Sequence, residues 1–250
     1  MKHDIVFVLR NYYDGEELKY ALRSVVMNFP YRKIVFVGGC PKDIKPDIYI
    51  PDQQEGTTKW ARANHSIQKA IECDELTEDI WLFNDDFFIM DRVTEDFNYF
   101  NGTLEKRIID LKKRNPGGSN YIRYMDVMRN RLLSMGKDTL SFALHVPFLI
   151  NRVKAQELYE NFSNIKMFRS FYGNYFEIDC SFMKDCKVYD LQTIPETPFI
   201  STTDAAFKEG KVGKFLRKYF AEPSKYEIEH QIRIDTRERY DEEGEIRYEN

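Results

Sequence analysis

Apolar residues along this 250-residue chain fall into two rhythms, and their alternation sets the first expectation of fold. Ile5-Val6-Phe7-Val8-Leu9 is a continuous apolar run with β-branched members, the pattern of a strand buried on both faces. Leu18, Ala21, Leu22, Val25 and Val26 then recur at helical spacing, and Asn28-Phe29-Pro30 ends that helix. Ile34 to Val37 reads as a second buried strand closed by Gly38-Gly39, and Ile48-Tyr49-Ile50 as a short third ending at Pro51. Trp60 to Cys73 is helical, and Ile80 to Phe83 is a fourth strand. A β-α-β-β-α-β order predicts a largely parallel sheet with helices on its faces.

Beyond Asp86 the rhythm loosens. Helices are expected over Thr103–Arg114, Tyr121–Met135, Val153–Phe162 and Val212–Phe220, with strands over Ser141–Ile150 and Val188–Leu191. No internal repeat interrupts the chain, so the expectation is one α/β domain over residues 1–226 with an elaborated second half. Residues 227–250 read as an acidic C-terminal tail.

Composition narrows the function classes. Nineteen Phe and 16 Tyr bring the aromatic share to 15%, far above that of a disordered chain. No apolar run approaches the ~20 residues that span a bilayer, and Met1-Lys2-His3-Asp4 leads straight into the first strand without a signal-peptide core. A cytoplasmic protein is the expectation. Cys40, Cys73, Cys180 and Cys186 form no CxxC pair, so free thiols are expected rather than a zinc site. Net charge is −4, but residues 227–250 carry nine acidic side chains against four Arg, leaving the preceding body slightly basic. Residues 106–137 hold nine Lys or Arg against Asp110 and Asp126, and residues 207–225 hold six against Glu209 and Glu222. Such runs are either solvated helix faces or a wall toward an anionic partner.

Candidate chemistry sits at strand ends. Asn84-Asp85-Asp86 directly follows the fourth strand, where open α/β sheets bind ligands. Two adjacent carboxylates there repel each other unless a cation or a hydrogen-bond donor compensates, and Mg²⁺ or Mn²⁺ suits such oxygen donors; a turn or a helix cap is the plainer alternative. His145 is a candidate metal ligand or acid/base, or else a core histidine. Arg10 and Arg62 are candidate phosphate contacts, or surface ion pairs. Tyr121, Tyr124 and Phe142 offer a stacking surface or pack in the core. Neither a P-loop nor a GxGxxG after the first strand is present, which disfavours P-loop NTPases and dinucleotide dehydrogenases.

The blocks Glu17–Val25, Leu82–Phe88, His145–Pro147 with Leu158, and Asp204 with Phe215-Leu216 and Pro223–Glu227 resemble, in that order over roughly residues 17–227, the blocks of the stealth family. Glu17-Leu18-Lys19-Tyr20-Ala21-Leu22-Arg23-Ser24-Val25 resembles its "ELRYSLRSV" opening, and Leu82-Phe83-Asn84-Asp85-Asp86-Phe87-Phe88 its "LNDDFF" motif. His145-Val146-Pro147 with Leu158 resembles its His-x-Pro block, and Asp204, Phe215-Leu216 and Pro223-Ser224-Lys225-Tyr226-Glu227 its closing pattern. The resemblance implies a GT-A-like fold, a nucleotide-diphosphate-sugar donor and a divalent metal, Mn²⁺ or Mg²⁺. It implies Asp85 and Asp86, with His145, as metal and diphosphate ligands and Asp204 as a further active-site carboxylate. Where the family carries Trp-Val-Asp-Gly after its opening strand, this chain has Val8 to Asp14. That departure turns the resemblance toward compact phage-encoded glycosyltransferases with the same Asn-Asp-Asp-Phe-Phe core, acting in the cytoplasm of a bacterial host. Glycosyl transfer to a hydroxyl on an anionic polymer, hydroxymethylated DNA or a surface polysaccharide, is the first expectation. Sugar-1-phosphate transfer and a non-catalytic sugar-nucleotide-binding module are the alternatives. Arg10, Arg62, Asn84, Asp85 and Arg169 are the candidate donor contacts, and Asp204, Asp179 and His145 the candidate catalytic groups.

Overall fold

The computed structural model describes residues 2–11, 15–56, 58–163 and 165–228. The first half follows the apolar rhythm closely: β1 (Asp4–Leu9), α1 (Glu16–Asn28), β2 (Ile34–Gly38), β3 (Ile48–Ile50), α2 (Lys59–Ile71) and β4 (Asp79–Phe83). The second half is β5 (Phe87–Ile89), β6 (Tyr99–Phe100), α3 (Leu104–Arg114), α4 (Asn120–Ser134), β7 (Phe148–Asn151), α5 (Arg152–Asn161), α6 (Phe168–Tyr175), β8 (Ser181–Phe182), β9 (Lys187–Val188), β10 (Phe199–Thr202), α7 (Asp204–Lys208) and α8 (Lys211–Tyr219).

The main sheet runs β3-β2-β1-β4-β7, with β7 antiparallel at the edge and the other four strands parallel. It is the expected α/β architecture, a mostly parallel sheet flanked by helices. Alternation along the strands explains their unbroken apolar runs. Ile5, Phe7, Leu9, Phe36, Trp81 and Phe83 face one core with α1, while Val6, Val35, Val37, Ile80 and Leu82 face another with α2, α4 and α6. A second sheet, β5-β10-β9, packs beside α1.

The strand expected over Ser141–Ile150 forms only at Phe148–Asn151. Ser141 pairs through its backbone with Asn101 and Gly102, and side chains take the place of a ladder across residues 142–146. Phe142 N–H donates to Ser170 Oγ at 3.1 Å, and His145 N–H to Asp185 Oδ1 at 3.1 Å. Arg169 Nη1 donates to the carbonyls of Leu144 (3.2 Å) and Val146 (2.8 Å). The expected edge strand Val188–Leu191 is confined to Lys187–Val188, because Asp190 Oδ1 accepts the N–H groups of Gln192 and Thr193, both at 2.8 Å, and turns the chain.

Glu227 belongs to the folded body: it is buried and paired with Arg23, whose Nε and Nη2 reach its two oxygens at 2.9 and 2.6 Å. Residues 229–250, the rest of the expected tail, lie outside the described residues. Among the described residues no helix is long and apolar enough to cross a membrane.

Candidate functional site

Two adjoining cavities open at the C-terminal ends of β1 and β4, and Val8, Lys59 and Ala63 border both. Their volumes, about 660 and 820 Å³, are those of small-molecule sites. The position follows from the topology, since parallel strands deliver their ends and following loops to one edge.

The larger cavity is the one with Arg10, Asn11, Asp52, Gln53, Gln54 and Arg62 in its lining, and a side-chain clamp ties that wall to β1. Gln54 sits in the left-handed region at φ 54°, a conformation that costs a non-glycine residue. Its Oε1 accepts the Asn11 N–H at 3.1 Å, and its Nε2 donates to the Leu9 carbonyl in a short contact. Asp52 fixes the same wall: it accepts from His65 Nδ1 (2.7 Å), Ser66 Oγ (2.6 Å) and the Gln54 N–H (2.9 Å). Burial pushes the Asp52 pKa upward, but these donors outweigh it and leave the carboxyl below its ordinary value. Behind the wall, β1 and β2 approach so closely that only glycine fits. Gly38 has φ +96°, and a Cβ there would lie 2.2 Å from the Leu9 carbonyl oxygen. Arg10 and Arg62 line this cavity, both exposed at its rim; Arg62 Nε donates to the Gly56 carbonyl at 3.0 Å.

The smaller cavity is aromatic and cationic. Trp60 stacks on Tyr121 with ring centroids 5.9 Å apart, and Tyr124 meets Trp60 edge-on at 5.5 Å. Lys59, Arg107 and Lys166 join Asn84, His145 and Arg169 in the lining. Among the described residues, Asp52 is the one carboxylate lining either cavity, and its oxygens are occupied. His145 is oriented from behind: its Nδ1 lies 3.0 Å from both Asp185 oxygens. Burial raises the Asp185 pKa, but His145 and the nearby charge of Arg107 outweigh it, so the carboxyl ends below its usual value.

The expected metal ligands are not gathered. Asp86 lines neither cavity; it is 8% exposed and turned toward the second sheet, where Lys187 and Ser201 hold it. His145 sits in the smaller cavity with its Nδ1 on Asp185. Among the described residues, no three His, Cys, Asp or Glu side chains converge to hold a metal ion. The residues present do not fit the divalent cation that the resemblance implies.

The other candidates are spread out. Asn84 lines the smaller cavity, while Asp85 is half-buried beside it in the chain and lines neither. Arg169 lines the smaller cavity, but its Nη1 serves two loop carbonyls, and burial brings its pKa down to about 10 against the opposing pull of Asp86. Asp204 is exposed in the first turn of α7, and Asp179 is exposed between α6 and β8; neither lines a cavity. Of the three aromatic candidates, Tyr121 lines the smaller cavity and Tyr124 packs on Trp60, whereas Phe142 is core and fills the space beside Gly173. Of the basic run 106–137, Arg107 alone among the described residues lines a cavity.

Sequence reasoning passed over Lys59, Asp52, Asp185, Lys187 and Glu17. Lys59 had a readable signal, a cation at the start of a helix bordering a strand-end site. Glu17 lies within the electrostatic reach of Asp85 and Asp86. Burial, with repulsion from both carboxylates, raises its pKa to about 8, although the Thr202 hydroxyl donates to it.

No family model and no curated protein matches the chain. Solved structures similar to it include the galactosyltransferase LgtC in complex with donor and acceptor sugar analogues, 14% identical over 68% of each chain at a TM-score of 0.38. A structure of an active-site mutant of LgtC gives 14% identity over 68% of each chain and a TM-score of 0.36. The glycosyltransferase GlyE of Streptococcus pneumoniae TIGR4 is 13% identical over 74% of this chain, which spans 45% of GlyE, at a TM-score of 0.34. At these scores the likeness adds nothing to the strand arrangement already described.

Proposed function

We propose that this chain is a glycosyltransferase that moves a sugar from a nucleotide-diphosphate-sugar donor to a hydroxyl on an anionic polymer. One observation carries the reading: two adjoining cavities at the sheet's C-terminal edge, ringed by Arg10, Lys59, Arg62, Arg107 and Lys166 and offering no free carboxylate. Such a ring favours a ligand with several negative charges. The polar cavity, with its Asn11, Asp52 and Gln54 wall, takes the nucleotide. The aromatic cavity takes the transferred sugar and the acceptor, whose rings pack against Tyr121 and the Trp60 stack. Lys59, at the junction, faces the diphosphate between them. His145, held through Nδ1 by Asp185, presents its other ring nitrogen as the acid/base group at the acceptor hydroxyl. The residue-level resemblance to the stealth blocks supports the same donor class.

The test is nucleotide release from UDP-, GDP-, CDP- and TDP-sugars with hydroxymethylated DNA, an anionic polysaccharide or no acceptor, each with EDTA or with Mn²⁺. Diphosphate release stimulated by one acceptor, and reduced at least tenfold in both Lys59→Ala and His145→Ala, is the expected result. Monophosphate release would move the chemistry to sugar-phosphate transfer. Binding without release from any donor would leave a non-catalytic module.

A further inference from the structure

Asp86 carries its counter-ion within the fold, and the second sheet puts it there. In the register of that sheet, Ser201 on β10 lies opposite Phe87 on β5 and beside Lys187 on β9. A hydroxyl and an ammonium therefore flank the residue that precedes Phe87. Both donate to the same oxygen, Asp86 Oδ2: Ser201 Oγ at 2.8 Å and Lys187 Nζ in a shorter contact. The pair is shielded, with 14% of the Lys187 side chain and 11% of that of Asp86 exposed. Arg169 places a second positive charge near the same carboxylate. A divalent cation taking Asp86 Oδ2 would have to displace Lys187 and leave a buried ammonium without its carboxylate, which costs several kcal/mol, and one held through the other oxygen would sit beside the charges of Lys187 and Arg169. On the cavity side the situation is reversed: cations line the space and no free carboxylate neutralises them.

We propose that Lys187 is the resident counter-ion of Asp86, and that the donor's diphosphate is met by the cavity cations, chiefly Lys59, without a protein-held divalent metal. This rests on the reading of the ligand as a nucleotide sugar. Lys59 is singled out because, among the described residues, it is the one cation that borders both cavities.

The test is calorimetric titration of the wild-type protein with UDP, GDP, CDP, TDP and inorganic pyrophosphate, in EDTA and again in Mn²⁺. Mn²⁺ alone is titrated in parallel and followed by electron paramagnetic resonance. At least one nucleoside diphosphate is expected to bind in EDTA, with affinity changed less than roughly threefold by Mn²⁺. Lys59→Ala is expected to weaken that binding roughly tenfold or more, the size of a lost charge-assisted hydrogen bond. Nucleotide binding that appears only with Mn²⁺, or Mn²⁺ held by the protein alone and lost in Asp86→Asn, overturns the inference and leaves the proposed function standing. Absence of binding by every nucleotide and by pyrophosphate in both conditions overturns both. The wild-type comparison decides the matter even if Asp86→Asn does not fold.

Discussion

Asn84 and Asp86 stand two residues apart at the end of one strand and meet opposite surroundings. Asn84 borders a cavity ringed by Lys59, Arg107 and Lys166, where positive charge waits for a ligand. Asp86 turns into the seam with the second sheet, where Lys187 and Ser201 both donate to its Oδ2. The lesson is that a motif's formal charge and its available charge are different quantities. A carboxylate beside a strand end is available to a ligand only if the fold does not neutralise it first. Here Asp86 is paired inside the fold, whereas the cations on the cavity side line a space that holds no free carboxylate.

Five measurements test that contrast. The largest effect is expected from Asp86→Ala, which strands the Lys187 ammonium in a buried seam. A loss of about 3–5 kcal/mol in urea unfolding follows from breaking such a pair. A loss below about 1 kcal/mol would show Asp86 to be a free, solvent-facing group.

The next concerns Glu17, whose pKa of about 8 in the fold exceeds the ordinary 4.5. Below 4.5 both folded and unfolded chains hold the proton, and the group does not oppose folding. Between 4.5 and 8 the unfolded chain ionises while the folded chain stays protonated, so stability falls as pH rises, by roughly 1.4 kcal/mol per pH unit at most. Glu17→Gln should flatten that part of the stability profile and be more stable than wild type at pH 8. An unchanged slope would show that neither burial nor Asp85 and Asp86 hold the proton on Glu17.

Smaller still, Lys59→Ala should cut nucleoside diphosphate affinity roughly tenfold while moving stability by less than about 0.5 kcal/mol. The affinity of the wild type should fall as salt rises, since exposed cations are screened over about 10 Å at 0.1 M. Arg62→Ala should cost the least, under roughly threefold in affinity, because Arg62 borders the larger cavity alone and its Nε is already engaged by the Gly56 carbonyl. A larger effect from Arg62 than from Lys59 would shift the diphosphate into the polar cavity.

The sequence was legible where structure is local. Ile5–Leu9, Ile34–Val37 and Ile80–Phe83 are apolar on both faces because helices cover both sides of the sheet, and periodicity reports that directly. Arg10 and Arg62 were findable because strand and loop order places them at the sheet's C-terminal edge. The surroundings of Asp86 were not, because its partners lie 101 and 115 residues away, in a sheet built from strands of two to four residues. Segments so short carry too few residues to show a period. Arg169 misled for a related reason: a cation suited to phosphate is bound instead to Leu144 and Val146, in a stretch whose missing ladder no pattern announces. His145 was visible, but Asp185, which orients it, lies 40 residues on in a segment without periodic apolar positions.

The most direct measurement is a crystal structure of the wild-type protein grown with the nucleoside diphosphate that binds most tightly and Mn²⁺, with anomalous diffraction recorded at the manganese edge. The account expects the phosphates against Lys59 where the two cavities meet, the Lys187–Asp86 pair intact, and no manganese peak at Asp86. A manganese peak between the nucleotide and Asp85 or Asp86, with Lys187 displaced, would contradict it.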